Sequence, residues 1–256
     1  MNFFKRILNK MESDVNSSKH DDSDSIFSLT SASISIEEKL GLQFSGSAAL
    51  CVKIIDGAIF KNTIKDCTDL LNVSKDEFKF DYKIFTDSYN YLWIIITGEE
   101  LTTHSDVITN VAAGLSSTGD IIEENGFSEQ ILSVVFKFIF LDQNQRQNFT
   151  ETTMSSPEYI EKNASNFIIE EKNNSQNDDI RSHNSTKKDN NNINYSNNKN
   201  MYLIYNYKTN NFYPYIPNDN QQRNTTKELQ TLSILKSLIS VENDFSKWFP
   251  IKDIPF

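Results

Sequence analysis

Glycine is scarce in this chain, and so are proline, histidine and cysteine: seven, five, three and two in 256 residues. The glycines are too few and too scattered to build a phosphate-cradling loop. Cys51 and Cys67 cannot staple a secreted fold, and they do not form a zinc-type pair. Positive charge is short as well. Lys and Arg number 25 against 35 Asp and Glu, a formal charge of −10. No basic stripe is available to neutralise phosphates, which argues against general nucleic-acid binding. A bilayer-spanning helix needs about 20 consecutive apolar residues, and none occur. Behind Lys5 and Arg6 there is no apolar stretch of the kind a secretion signal carries, so a cytoplasmic location is expected. Hydrophobic residues make up 38% of the chain. That lies under the globular share of about 45–50%, so part of the chain is expected to stay outside a core.

The first eleven residues form a small unit of their own. Phe3, Phe4, Ile7, Leu8 and Met11 recur at helical spacing, with Lys5, Arg6 and Lys10 off that stripe. A basic amphipathic helix with aromatics suits an anionic membrane surface or a partner. A short helix docked on the protein's own core fits the same pattern. Residues 12–25 read as an acidic flexible linker and 142–200 as an Asn-rich disordered insertion, since neither holds enough apolar surface to offset the entropy of ordering. Residues 26–141 and 201–256 then make one domain.

Within that domain, Ser35–Leu40 reads as one helical turn closed by Gly41. Ala48–Ile55 reads as a strand. Phe60, Ile64, Cys67 and Leu71 mark the buried face of a helix over Ile59–Leu71, which makes Cys67 a core thiol. Phe78–Ile84 and Tyr91–Thr97 read as a hairpin about the Thr86–Asn90 turn. A helix begins near Thr103–Asp106, with His104 in its first turn and Val107, Ile108, Val111, Ala112 and Leu115 on its buried side. Gly119–Gly126 reads as a connection and Gln130–Leu141 as a strand. After the insertion come a strand at Met201–Tyr207, a return strand at Phe212–Tyr215 whose Pro214 and Pro217 suggest an edge, and a helix from Thr225 or Thr226. The order predicts an α+β fold: a mostly antiparallel sheet of about five or six strands with helices packed on one face.

The C-terminal stretch Asp244–Phe256 is rich in aromatics but fits neither helix nor strand patterns, so it is expected to bury its rings across the domain, or else to bind a partner. Arg223 is one of only four arginines, and its guanidinium suits pinning the tail carboxylates Asp244 or Asp253. Catalytic signals are weak. Asp87, Glu99, Glu100 and Glu129 are the acidic groups a hydrolase would draw on, yet Glu99 and Glu100 stand where a helix start favours acids. His104 has no nucleophile or metal partner in the sequence pattern. No catalytic, cofactor-binding or metal residue is assigned, and no cofactor is expected. A small-ligand groove between sheet and helix is a third reading that the sequence does not discriminate.

Seven blocks, in order, resemble the PspAB family, proteins associated with phage shock protein A. They are Met1–Leu8; Ile26–Leu29 with Leu40–Ala49; Asp87–Trp93; Gly126–Gln130; Tyr205–Pro214; Arg223–Leu229; and Asp244–Pro250. The long Asn-rich insertion departs from the pattern. The resemblance implies a small cytoplasmic accessory or adaptor protein rather than an enzyme, working with a coiled-coil, membrane-remodelling partner of the envelope stress response at the inner face of the membrane. Contact residues expected on that basis are Phe3, Phe4, Ile7, Leu8, Tyr213, Trp248 and Phe249, with Arg223 as an anchor.

Overall fold

Ile26, Leu29, Ala32 and Ile36 put one apolar side chain per turn on one side of a helix, and all four are buried where that stretch forms α1, Asp22–Leu40. The computed structural model describes residues 22–99, 104–141 and 200–256, except 219, 221, 250, 252 and 253. α1 is longer than the single turn expected at Ser35–Leu40 and begins inside the stretch read as linker, whose residues 12–21 lie outside the described set. Its hydroxyls turn inward to the helix's own carbonyls. Thr30 Oγ1 donates to the Phe27 carbonyl and Ser33 Oγ to that of Thr30, so the Ser/Thr-rich run bonds its own helix. The end is as expected: Gly41 has φ +62° and its N–H donates to the Glu37 carbonyl at 2.8 Å.

β1 (Leu42–Lys53) follows at once, starting well before the expected Ala48. α2 (Ala58–Phe78) buries Phe60, Cys67 and Leu71, and ends where Lys79 turns left-handed, φ +54°. β2 (Phe80–Thr86) and β3 (Tyr91–Gly98) form the expected hairpin. α3 (His104–Glu124) buries Val107, Ile108, Val111, Ala112 and Leu115. It runs through Gly119 and occupies most of the stretch read as a connection. A short 3-10 turn, Ser128–Gln130, leads into β4 (Ile131–Phe140). β5 (Asn200–Asn206) and β6 (Asn211–Tyr215) form the second hairpin, turning through Asn210 at φ +54°. α4 (Thr225–Leu235) is capped by Asn224, whose side chain accepts from the Lys227 N–H at 3.2 Å. A second 3-10 turn lies at Phe245–Lys247.

The six strands form one antiparallel sheet in the order β2-β3-β1-β4-β5-β6. β6 is terminal, as its prolines suggest, and the segment past α4 partly closes its edge: the Phe212 N–H donates to the Ser240 carbonyl and the Glu242 N–H to that of Phe212. α3 crosses β1, β3 and β4, with α1 and α2 beside it. Side chains alternate across the pleat, so Ile94, Ile96, Leu50 and Val134 face the helices. Trp93, Cys51, Ser133, Ile204 and Tyr213 face the other way. Among the described residues no helix covers that second face. Trp248, Ile251, Ile254 and Phe256 of the tail lie against it and join the core, as the aromatic content of the tail predicts. Among the described residues no helix is long and apolar enough to cross a membrane.

Candidate functional site

A cavity of about 430 Å³ opens between the helix-free face of the sheet and the tail. Its floor is a row across four strands: Trp93 of β3 stands opposite Cys51 of β1, Cys51 opposite Ser133 of β4, and Ser133 opposite Asn206 of β5. Tyr91, Tyr213, Phe249 and Ile251 form walls, while Asp87, Tyr89 and Lys208 stand at the rim.

The polar groups around it are mostly spent on structure. Asp87 Oδ1 accepts from the N–H groups of Tyr89 and Tyr91, and Oδ2 from Trp93 Nε1, all at 2.9 Å. The acidic side chain thus holds the β2–β3 turn against the indole instead of standing ready as a base. Asn206 donates to the Lys247 carbonyl at 3.4 Å and accepts from the Lys208 N–H at 3.0 Å. Tyr213 donates its hydroxyl to the Phe249 carbonyl at 3.1 Å; burial raises its pKa, against a smaller lowering by Arg223. Burial, with the charge of Asp87, pushes the Cys51 thiol up to about 12, so it stays neutral and is a poor nucleophile. Cys67 rises to about 12 by burial too, and donates to the Thr118 carbonyl within the core.

The tail is held by Arg223. Its Nε donates to Glu228 Oε2 at 3.0 Å, Nη2 to the Pro214 carbonyl at 3.1 Å and Nη1 to the Trp248 carbonyl at 3.3 Å. The guanidinium also lies over the Tyr215 and Trp248 rings, at 5.5 and 5.2 Å. Among the described residues the carboxylate partner is therefore Glu228 and not Asp244. Glu228 is 1% exposed and also accepts from the Ile216 N–H, and a desolvated carboxylate draws the nearest guanidinium. Asp244 instead caps the 3-10 turn through Ser246, whose hydrogen bonds hold its carboxyl below the usual range. Asp253 lies outside the described residues.

The structure brings four of the expected contact residues together and separates their roles. Tyr213 is 1% and Trp248 8% exposed, their rings stacked 5.6 Å apart, so both are spent inside the molecule. Phe249 is 54% exposed beside them. Phe3, Phe4, Ile7 and Leu8 lie outside the described residues, as do Glu100, His20 and His183. His104 opens α3 as expected. Of the acids named for a hydrolase, Asp87 and Glu99 lie at opposite ends of β3 and Glu129 sits in the turn before β4. Among the described residues no three His, Cys, Asp or Glu side chains gather into a group fit for a metal ion. Sequence reasoning missed the cavity itself. The signal was the pair of small residues, Cys51 and Ser133, in otherwise bulky strands, and it becomes readable only once the register sets them side by side.

The family model described as PspA associated protein B matches residues 1–150 and 190–256. The chain belongs to the PspA-associated protein B family. The two matched stretches take in every described element, and they leave out most of the Asn-rich segment that departs from the resemblance. No curated protein and no solved structure matches the chain.

Proposed function

We propose that this protein is a non-enzymatic accessory or adaptor that acts with a phage shock protein A-like coiled-coil partner in the envelope stress response, at the inner face of the membrane. Membership of a family described as PspA-associated carries the reading. The tail supports it. Phe245 and Phe249, 56% and 54% exposed, flank the buried Trp248, and paired exposed rings on a pinned segment suit a protein contact. The basic amphipathic start, residues 1–11, supplies a peripheral membrane contact in this scheme.

Co-purification of the full chain with the phage shock protein A of its own genome tests the scheme. Retention is expected at low salt, and Phe245→Ala/Phe249→Ala is expected to weaken it at least tenfold, the scale of losing a hot-spot aromatic. Removal of residues 1–11 is expected to abolish pelleting with anionic vesicles and spare retention. Failure to co-purify under gentle salt would end the adaptor reading.

A further inference from the structure

We propose that the cavity between the sheet and the tail binds one small, uncharged, mainly apolar molecule that presents a hydroxyl or carbonyl to Ser133. Ligand pockets run from about 300 to 1,000 Å³ with apolar, aromatic walls and few polar groups. At about 430 Å³ between Tyr91, Trp93, Tyr213 and Phe249, this cavity has that size and character.

Ser133 points to the ligand. It is 6% exposed, it lines the cavity, and its hydroxyl has no partner among the described residues. That hydroxyl opens onto the cavity, so a guest's polar atom placed beside it gains a hydrogen bond that no protein group there makes. The neighbouring polar groups make their hydrogen bonds elsewhere: Asp87 to Trp93, Asn206 to Lys247 and Lys208, and Tyr213 to Phe249. A serine hydroxyl both donates and accepts, so it suits a carbonyl or a hydroxyl.

Charge argues for a neutral guest. The rim holds one anion, Asp87, and one cation, Lys208, which offset each other. The floor offers a hydroxyl, a neutral thiol, an indole and an amide but no charge, and an ion there would lose its hydration without gaining a counter-charge. The cavity and the proposed partner contact share Phe249, but this test involves no partner protein, so it can fail or succeed apart from the adaptor reading.

The test uses 2-naphthol as the probe and the full chain labelled with ¹⁵N at tryptophan. The protein has two tryptophans, so the indole N–H groups of Trp93, in the cavity, and Trp248, outside it, give two signals. A saturable shift of the Trp93 signal is expected. Naphthalene, lacking the hydroxyl, is expected to bind about tenfold more weakly, the scale of one buried hydrogen bond. Ser133→Ala is expected to erase that difference between the two probes. Phe249→Ala, at a half-exposed wall, is expected to weaken both probes alike and serves should Ser133→Ala fold poorly. The proposal is overturned if the Trp93 signal does not saturate, if Ser133→Ala keeps the preference for 2-naphthol, or if 2-naphthoate binds more tightly than 2-naphthol.

Discussion

Arg223 spends all three guanidinium nitrogens on acceptors from three separate places: the start of α4, the end of β6 and the tail. Glu228 answers it from inside the core with one oxygen and holds the Ile216 N–H with the other. Removing the cation strands a buried anion, so Arg223→Ala is expected to lower unfolding free energy by about 3 kcal/mol, the lower end for a broken buried pair. Arg223 is placed at that end because its side chain keeps 24% exposure. Arg223→Lys is expected to recover less than half, since an ammonium cannot reach two carbonyls and a carboxylate in one plane. Arg223→Met/Glu228→Leu is expected to stand closer to the native protein than Arg223→Ala does. Urea unfolding of the four proteins checks the order. A loss under about 0.5 kcal/mol in Arg223→Ala, the size of an ordinary surface change, would refute the account.

At the scale of elements, glycines set how closely α3 lies on its neighbours. A Cβ added to Gly98 at the end of β3 falls 2.6 Å from Val107 Cγ1 and 3.3 Å from Val111 Cγ2. Both are β-branched side chains with little rotamer freedom in a helix. Gly98→Ala is therefore expected to cost about 1–3 kcal/mol, although the change by itself would stiffen the unfolded chain in favour of folding. Gly98→Ala/Val107→Ala is expected to cost less than the sum of the single changes, which thermal melts in parallel can show. Gly119 acts the same way inside α3, where a Cβ falls 2.7 Å from Tyr207 Oη.

These glycines mark the limit of what the sequence shows. Gly119 looks like punctuation because its reason for being glycine, Tyr207, lies far along the chain. Beside it, Ser117 and Thr118 bond back to the carbonyls of Ala113 and Gly114 within the helix. The strands, the α3 face and the second hairpin were legible because their apolar periods repeat locally. α1 was underread, though Ile26, Leu29, Ala32 and Ile36 carry the period, because serines between them dilute it. The Arg223 partner and the cavity depend on register and on the path of the tail, which no local pattern encodes.

For the whole molecule, the sheet is a partition with unlike coverings. Helices close one side with a continuous apolar layer. Among the described residues a single irregular segment closes the other, and the cavity lies where that cover is incomplete. The sequence foretold that the aromatic tail would pack across the domain. It did not foretell that the tail would substitute for a missing layer of secondary structure.

The strand order has one more effect. β4 and β5 are neighbours, with Ile139 opposite Asn200, although 58 residues, 142–199, lie between the two described stretches. The covalent link there is redundant with a full ladder of backbone hydrogen bonds and with the tail laid over both halves. A protease that cuts within residues 142–199 is thus expected to give two pieces on a denaturing gel and one species on native size exclusion. Separation of the pieces without denaturant would show that the ladder and tail are too weak to hold them. If they stay joined, the protein is in effect a two-part assembly that happens to be translated as one chain, and its halves produced separately should find each other.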